Sequence, residues 1–254
     1  MIVTLSIQRI KGFFFKINMY ILRLNDRVLY DKVNFTVDEG ERFVFLGPNG
    51  IGKSLLLELI CLGNSHELAS RYKGLSVSGA ILDSDGNDLL NPATRRRIAY
   101  VSQNEDFYRN KTIKEVCQTS CTGIGIDLNE ERLDYLLKTF GIYDKKNQKI
   151  KSNVSFGEGK IVHIISHILK LQASSLFILD EPLNHLSFKN SKVFNDLILE
   201  EIERNSKLSI IMVSHCRAMN FTDKAMVYTT ENKGIAFREY HSYDCFSNGE
   251  YAES

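Results

Sequence analysis

Hydrophobic residues along this chain follow two patterns. Short apolar runs, often β-branched, have the length of buried strands, and they occupy Arg42–Leu46, Ile98–Ser102, Leu176–Leu179 and Ser209–Ser214. Between the last two runs, apolar residues recur at helical spacing, at Val193, Phe194, Leu197, Ile198 and Ile202. Strands that alternate with helices in this way predict an α/β fold around a mainly parallel sheet.

The middle of the chain has a helical pattern that no strand interrupts. Two segments, Thr112–Cys121 and Glu130–Phe140, each place their apolar residues on one helical face. Their boundaries carry the residues typical of capping boxes, helix starts and helix ends, at Thr112, Glu115, Asn129 and Gly141. We therefore predict one domain over residues 1–254, with a core formed by 1–103 and 161–254 and a helical insertion at about 104–160.

Composition and charge limit the classes of function. The chain has 254 residues, of which 43% are hydrophobic, and its 32 Lys and Arg residues nearly balance its 31 Asp and Glu residues. This balance gives no electrostatic reason to expect nucleic acid as a partner. No apolar run approaches the ~18–20 residues that a membrane-spanning helix needs, so we expect a cytoplasmic protein. The five cysteines form no CxxC pair and are interpreted as reduced thiols.

The strand Arg42–Leu46 leads into a glycine-rich segment, Gly47–Ser54, that fits the phosphate-loop pattern G-x-x-x-x-G-K-[ST]. Glycines allow the backbone amides to point at phosphate oxygens, and the N-terminus of the following helix, expected to begin at Ser54, attracts anions. In this pattern Lys53 reaches the β- and γ-phosphates and the Ser54 hydroxyl is a ligand for Mg²⁺.

A second candidate element is the apolar strand Leu176–Leu179, which is followed directly by Asp180 and Glu181. An acid at the end of such a strand is suited to the Mg²⁺ shell, so we assign this role to Asp180. The next acid, Glu181, is placed to polarise a water molecule for attack on the γ-phosphate. A phosphate loop alone does not separate ATPases, GTPases and small-molecule kinases, but the guanine-specificity motif NKxD is absent.

Five motifs occur in a fixed order: GPNGIGKS, YVSQ, VSFGE, LFILDEP and MVSH. In order and spacing they resemble the ATP-binding cassette ATPases, over about residues 28–237. The resemblance implies that Gln103 contacts Mg²⁺ and the attacking water, and that His215 contacts the γ-phosphate. It also identifies Ser155–Glu158 as the signature segment, whose capping box opens a helix running through Lys160–Leu171. This segment would close over ATP bound by an opposite cassette, which implies a dimer.

The site residues expected from these motifs fall into three groups. The catalytic residues are Glu181, His215 and Gln103. The nucleotide-binding residues are Gly47, Pro48, Asn49, Gly50, Ile51, Gly52, Lys53, Ser54 and Leu55 in the loop, with Ser155, Gly157 and Glu158 in the signature segment. The Mg²⁺ ligands are Ser54, Gln103 and Asp180, and the expected cofactors are ATP and Mg²⁺.

Three positions depart from the family pattern. Phe156 stands where the signature has the first of two glycines, and Ser187 stands where an aspartate that communicates across the dimer is expected. We expect both changes to affect the site that this chain completes for its partner. Tyr20 is a weak candidate for the aromatic that stacks on adenine. His163 and His167 are interpreted as packing or surface residues rather than as a metal pair.

The sequence thus predicts a phosphate-loop α/β fold with an antiparallel β layer near its N-terminus and a helical insertion. The resemblance implies ATP hydrolysis that drives dimer closure and powers a membrane transporter. In that case the chain is peripheral on the inner face of the membrane, bound to permease subunits through Glu105–Lys111, which includes Phe107 and Tyr108. The alternative is a soluble cassette ATPase that serves a macromolecular assembly, such as iron–sulfur cluster assembly.

Overall fold

A computed structural model describes residues 13–62, 66–83, 86, 95–103, 110–213, 221–222, 224–229 and 233–239. Its strands are β1 (Phe13–Leu24), β2 (Arg27–Asp38), β3 (Arg42–Leu46), β4 (Leu75–Asp83), β5 (Ile98–Val101), β6 (Leu176–Asp180), β7 (Ser209–Val213), β8 (Lys224–Thr229) and β9 (Gly234–Glu239). Its α-helices are α1 (Lys53–Leu62), α2 (His66–Arg71), α3 (Ile113–Thr122), α4 (Glu130–Thr139), α5 (Ile150–Asn153), α6 (Phe156–Ile168) and α7 (Phe188–Arg204). Two 3₁₀ turns occupy Tyr143–Lys145 and Leu171–Ala173.

The strands form two sheets within the described part of the chain. One sheet has the order β5-β6-β7-β3-β8-β9, in which every neighbouring pair is parallel except β8 and β9. The other has the order β2-β1-β4 and is antiparallel. The predicted fold class, a mainly parallel core with an N-terminal antiparallel layer, is therefore confirmed.

Strands β6 and β7 explain how the parallel sheet is covered on both faces. All five residues of each strand are buried, and alternate side chains enter two different hydrophobic clusters. Phe177 and Leu179 pack with helices α3, α4 and α6, whereas Leu176 and Ile178 pack with α1 and the antiparallel sheet. A strand that is buried on both faces has a continuous run of hydrophobic residues in its sequence, and both strands show this pattern.

Residues 110–153 are helical except for turns and one isolated antiparallel bridge between Thr112 and Lys149. Thr112 and Glu115 form the expected capping box at α3, and Asn129 caps α4 by accepting a hydrogen bond from the amide of Arg132. Gly141 follows α4 with a positive φ of 73°. The placement of the insertion at about 104–160 remains a prediction, since residues 104–109 lie outside the described residues.

The segment α4 is tied to α7 by charged groups. Arg132 forms ion pairs with Glu200 and Glu201 of α7, and the hydroxyl of Tyr135 donates to Glu200 at 2.7 Å. Since Glu201 is almost completely buried, this network holds the N-terminal half of α4 against the C-terminal end of α7.

In the described residues, no helix is both long and apolar enough to cross a membrane.

The capping box at α3 generates a prediction about stability. Replacing Thr112 by alanine removes the side-chain acceptor of the Glu115 amide, and we expect the free energy of unfolding to fall by about 1 kcal/mol. Thr112→Ser keeps the acceptor and is the matched control, with a change within about 0.5 kcal/mol. Urea unfolding measures both. Equal losses in the two variants would show that the cap does not stabilise the helix.

Candidate nucleotide site

The glycine-rich segment forms a loop between the end of β3 and the start of α1, which begins at Lys53 rather than at the expected Ser54. Gly47 and Gly52 have φ values of 155° and 93°, in the region that only glycine adopts readily. A β-carbon on Gly47 would lie 2.5 Å from Cδ1 of Ile51, and one on Gly52 would lie 3.0 Å from Cδ1 of Leu29. Both glycines are therefore required for the curvature of the loop.

The ammonium of Lys53 is held inside this loop. Its Nζ donates hydrogen bonds to the carbonyl oxygens of Gly47 at 2.7 Å and Pro48 at 2.9 Å. Only 7% of the residue is exposed, and this burial lowers the pKa of Lys53, while the nearby carboxylates of Glu181 and Asp180 act in the opposite direction. The loop thus presents a fixed positive charge at the first turn of α1, where an anion is also attracted by the helix N-terminus.

Asp180 ends strand β6 and lies below the loop with only 1% of its surface exposed. Burial, opposed by the hydrogen bond from the Ser54 hydroxyl and assisted by the charge of Glu181, raises its pKa to about 6. Its Oδ1 is buried and has no hydrogen-bond partner among the residues that the structure describes. A hard divalent cation prefers carboxylate and hydroxyl oxygens, so the unpartnered Oδ1 beside the Ser54 hydroxyl fits a Mg²⁺ site.

Glu181 follows in a strained backbone conformation, with a φ of 47° that is uncommon outside glycine. Its amide donates to the carbonyl of Val213 at 2.9 Å, which ties the turn to the end of β7. Its carboxylate Oε2 accepts hydrogen bonds from the side-chain amides of Gln103, at 3.2 Å, and Asn184. The carboxylate is therefore oriented by two neutral donors from different parts of the chain.

Lys53 and Glu181 border a cavity of about 760 Å³, which Gly47, Pro48, Ile51 and Asp180 do not line. The predicted residues that line it are Asn49, Gly50, Gly52, Lys53, Ser54, Leu55, Gln103 and Glu181. The cavity also extends to the β1–β2 turn and to the end of α2, where it is lined by Leu24, Asn25, Asp26, Arg27, Leu29 and Tyr72. Sequence reasoning missed this second group and also missed Asn184. Asn184 lies only three residues after Glu181, but its contact depends on the left-handed backbone of Glu181, which sequence reasoning did not foresee.

The signature segment is built as expected but does not line this cavity. Ser155 caps α6, accepting from the amide of Glu158 at 3.3 Å, and its own amide donates to the Glu158 carboxylate at 2.8 Å. Burial raises the pKa of Glu158, but the ammonium of Lys145, at 2.7 Å, and the Ser155 amide lower it more. Helix α6 ends at Ile168, earlier than the predicted Leu171, which instead begins a 3₁₀ turn.

The two residues that depart from the family pattern, Phe156 and Ser187, stand at the starts of α6 and α7. The ring of Phe156 contacts that of His185 edge-on, with centroids 4.7 Å apart, yet 68% of Phe156 is exposed. A β-carbon on Gly157 would lie 2.9 Å from the carbonyl oxygen of His185. Ser187 caps α7 by accepting from the amide of Asn190 at 3.2 Å. Position 157 therefore requires glycine, whereas position 156 admits a large side chain.

Other predicted residues fall outside this geometry. His215, Phe107 and Tyr108 lie outside the described residues, as does the side chain of Tyr20. His163 and His167 pack edge-on with centroids 4.7 Å apart. Among the described residues, no group of three or more His, Cys, Asp or Glu side chains is arranged to hold a metal ion.

A glycine-rich loop before a helix, beside a strand-end acid pair on a parallel sheet, defines a phosphate-loop nucleotide-binding protein. Comparisons with known proteins narrow this class. The family model described as "ABC transporter" matches residues 30–184. A zinc uptake system ATP-binding protein of Listeria monocytogenes is 30% identical over 194 residues, which cover 73% of this chain and 70% of that protein. The chain belongs to the ABC transporter family, as an ATP-binding domain.

Two further comparisons concern length and fold. A Clostridium perfringens protein described as a "Putative ABC transporter ATP-binding protein" is 31% identical over 211 residues, covering 79% of this chain but only 34% of that protein. The chain thus spans about a third of the length of this relative. A solved structure described as the ATP-binding subunit of an ABC transporter matches with a TM-score of 0.72 at 22% identity, covering 89% of this chain and 90% of that one.

The buried carboxyl of Asp180 gives a pH-dependent prediction. Because its pKa is raised in the folded chain, the folded state binds this proton more tightly than the unfolded state. The ionised carboxylate therefore destabilises the fold above about pH 6, and this penalty is lost as the pH falls toward 4. In magnesium-free and nucleotide-free buffer, we expect Asp180→Asn to raise the free energy of unfolding at pH 7.5 by about 1–3 kcal/mol.

Urea unfolding at pH 7.5 and pH 5 measures this effect, and the gain should be smaller at pH 5. Asp196→Asn changes an exposed carboxylate on α7 and is the matched control, with little change at either pH. A loss of stability in Asp180→Asn at pH 7.5 would contradict the inferred electrostatic strain.

Proposed function

We propose that this chain hydrolyses ATP to ADP and phosphate and that the reaction powers a membrane transporter through closure and reopening of a cassette dimer. The observation that carries the proposal is the position of the Glu181 carboxylate. It borders the same cavity as Lys53 and Ser54, and two side-chain amides orient it. Family membership supports the use of a nucleotide.

In this proposal Lys53 neutralises charge on the β- and γ-phosphates, since its ammonium is fixed inside the phosphate loop. Glu181 orients a water molecule and accepts its proton as the water oxygen bonds to the γ-phosphorus. The bond from that phosphorus to the bridging oxygen breaks at the same time, and its electrons leave on ADP. Gln103 holds the Glu181 carboxylate in place, and the expected contact of His215 with the γ-phosphate supports the same step.

The Ser54 hydroxyl, Asp180 and Gln103 are proposed to hold Mg²⁺. When bound, this ion neutralises phosphate charge and aligns the phosphate oxygens. The hydrogen bond between Ser54 and Asp180 brings two of the three side chains together, and the unpartnered Oδ1 of Asp180 leaves a lone pair for the ion.

The proposed partner is a second cassette, because the signature segment does not line the cavity of its own chain. Ser155, Gly157 and Glu158 would then complete the site of the opposite chain. Permease subunits are proposed to cross the membrane, which places this chain on the inner face as a peripheral subunit. The zinc uptake protein of Listeria monocytogenes supports a transport role over a soluble assembly role.

The proposal is tested by two variants that separate binding from hydrolysis. Lys53→Ala removes the phosphate-facing charge, so we expect ATP affinity to fall by about 100-fold or more. Glu181→Gln keeps the shape of the side chain but cannot accept a proton, so we expect normal ATP affinity and a loss of turnover of about 100-fold. Equilibrium ATP binding and phosphate release measure the two effects.

The matched control is Glu203→Gln, which makes the same chemical change on an exposed position of α7 and should preserve both binding and turnover. Undiminished hydrolysis in Glu181→Gln would refute the role of Glu181. Recovery of the chain with a soluble scaffold instead of a membrane protein would favour the assembly function.

The exposed Phe156 predicts an effect on a dimer of identical chains. Its side chain stands where the backbone must approach a phosphate, so a homodimer would carry two hindered sites. We expect Phe156→Gly to raise the rate of ATP hydrolysis by the isolated chain by about tenfold. Phe188→Gly, which removes an even more exposed aromatic ring from α7, is the control. If the wild-type chain alone already hydrolyses ATP at the rate of Phe156→Gly, position 156 does not limit the reaction.

A further inference from the structure

Strand β5 ends at Val101, and the next two residues, Ser102 and Gln103, form a turn that two side chains of α6 hold. The Nζ of Lys160 donates to the carbonyl of Ser102 at 2.9 Å and to that of Gln103 at 3.5 Å. The Nε2 of His163 accepts the amide of Ser102 at 3.2 Å. The turn is thus fixed through both its donor and its acceptor groups.

Lys160 and His163 lie three residues apart, so they share one face of α6. Lys160 is only 1% exposed, and a buried ammonium is costly unless its donors are satisfied. The carbonyls of Ser102 and Gln103 accept these hydrogen bonds. The ammonium of Lys160 can therefore stay buried only while the turn keeps this conformation. The charge of Lys160 also lowers the pKa of Asp180, which places the ammonium within electrostatic range of the proposed Mg²⁺ ligands.

His163 acts as a neutral acceptor in this arrangement. Burial, together with the charges of Lys160 and Lys170, lowers its pKa to about 3. Because the amide of Ser102 can only donate, Nε2 carries the lone pair and the ring proton lies on Nδ1. The two side chains therefore have complementary roles, one as donor and one as acceptor.

The turn is connected directly to the chemistry. Gln103 donates from its side chain to Oε2 of Glu181, and α6 begins with the signature segment. Lys160 follows Ser155 by little more than one helical turn, so it moves together with the signature segment. Because Lys160 holds the carbonyls of Ser102 and Gln103, a shift of α6 would also move the backbone from which Gln103 reaches Glu181. We infer that Lys160 and His163 are positioning residues that set the Ser102–Gln103 turn and so connect the signature helix to the Glu181 carboxylate.

The expected change in kcat rests on the proposed function, whereas the expected change in hydrogen exchange of the Ser102 amide does not. The kinetic test compares Lys160→Met with the wild-type full chain. Methionine keeps the length of the side chain but has no donor, so we expect a fall of about tenfold in kcat with ATP affinity within about threefold. Lys170→Met is the control, since Lys170 is a half-buried lysine just beyond the end of α6 whose ammonium lies near Cys61 and Cys121.

A double-mutant cycle separates positioning from general damage. If Lys160 acts through Gln103, then Lys160→Met should have little further effect on kcat in a Gln103→Ala background. Equal effects of Lys160→Met in both backgrounds would overturn the inference. A loss of the same size in Lys170→Met would also overturn it, because the effect would then reflect loosening of the interior.

The structural test needs no nucleotide. Hydrogen exchange of the Ser102 amide in the full chain should accelerate by about tenfold or more in His163→Leu, which has no acceptor. It should stay near the wild-type rate in His163→Gln, whose side-chain carbonyl can accept. Wild-type exchange in His163→Leu would overturn the inference. If the exchange accelerates in a chain that proves unable to hydrolyse ATP, the result would support the role of His163 in holding the turn and refute only the proposed function.

Discussion

Burial of charge at the carboxyl edge of the parallel sheet is the constraint on which the rest of this structure depends. Lys53, Asp180 and Lys160 are each at least nine-tenths buried, and an isolated buried charge is strongly unfavourable. The ammonium of Lys53 is compensated by carbonyls of its own loop, and that of Lys160 by carbonyls of the turn after β5, whereas Asp180 receives a hydrogen bond from Ser54 but keeps a net cost of burial. Segments far apart in sequence are thereby brought to one edge.

The sequence predicted those parts of the site that depend on local backbone and on sheet topology. Gly47 and Gly52 specify the loop because both have a positive φ that side chains rarely allow. Asp180 was located because the carboxyl ends of parallel strands meet at one edge, where ligands bind. Interactions between distant segments were not predictable. Lys160 contacts Ser102 across 58 positions, and no periodicity in the sequence connects the two.

Sequence reasoning also missed features that depend on unusual backbone geometry. Asn184 reaches Glu181 because Glu181 adopts a left-handed backbone conformation, and the local sequence does not predict this conformation. The histidines of α6 show a related limit. They were interpreted as packing or surface residues rather than as a metal pair, and they do pack against each other, but His163 also accepts the Ser102 amide. Their spacing of four residues on one helix gave no indication of this hydrogen bond.

The signature segment shows that folding and partner recognition place separate demands on neighbouring residues. The capping box uses Ser155 and Glu158, so it forms whatever side chain occupies position 156. Gly157 is retained because the carbonyl of His185 leaves no room for a β-carbon. Ser187 still caps α7 as an aspartate would, but it carries no charge. The residues at 156 and 187 therefore leave both helix caps intact, and they change only the surface that is proposed to face a partner.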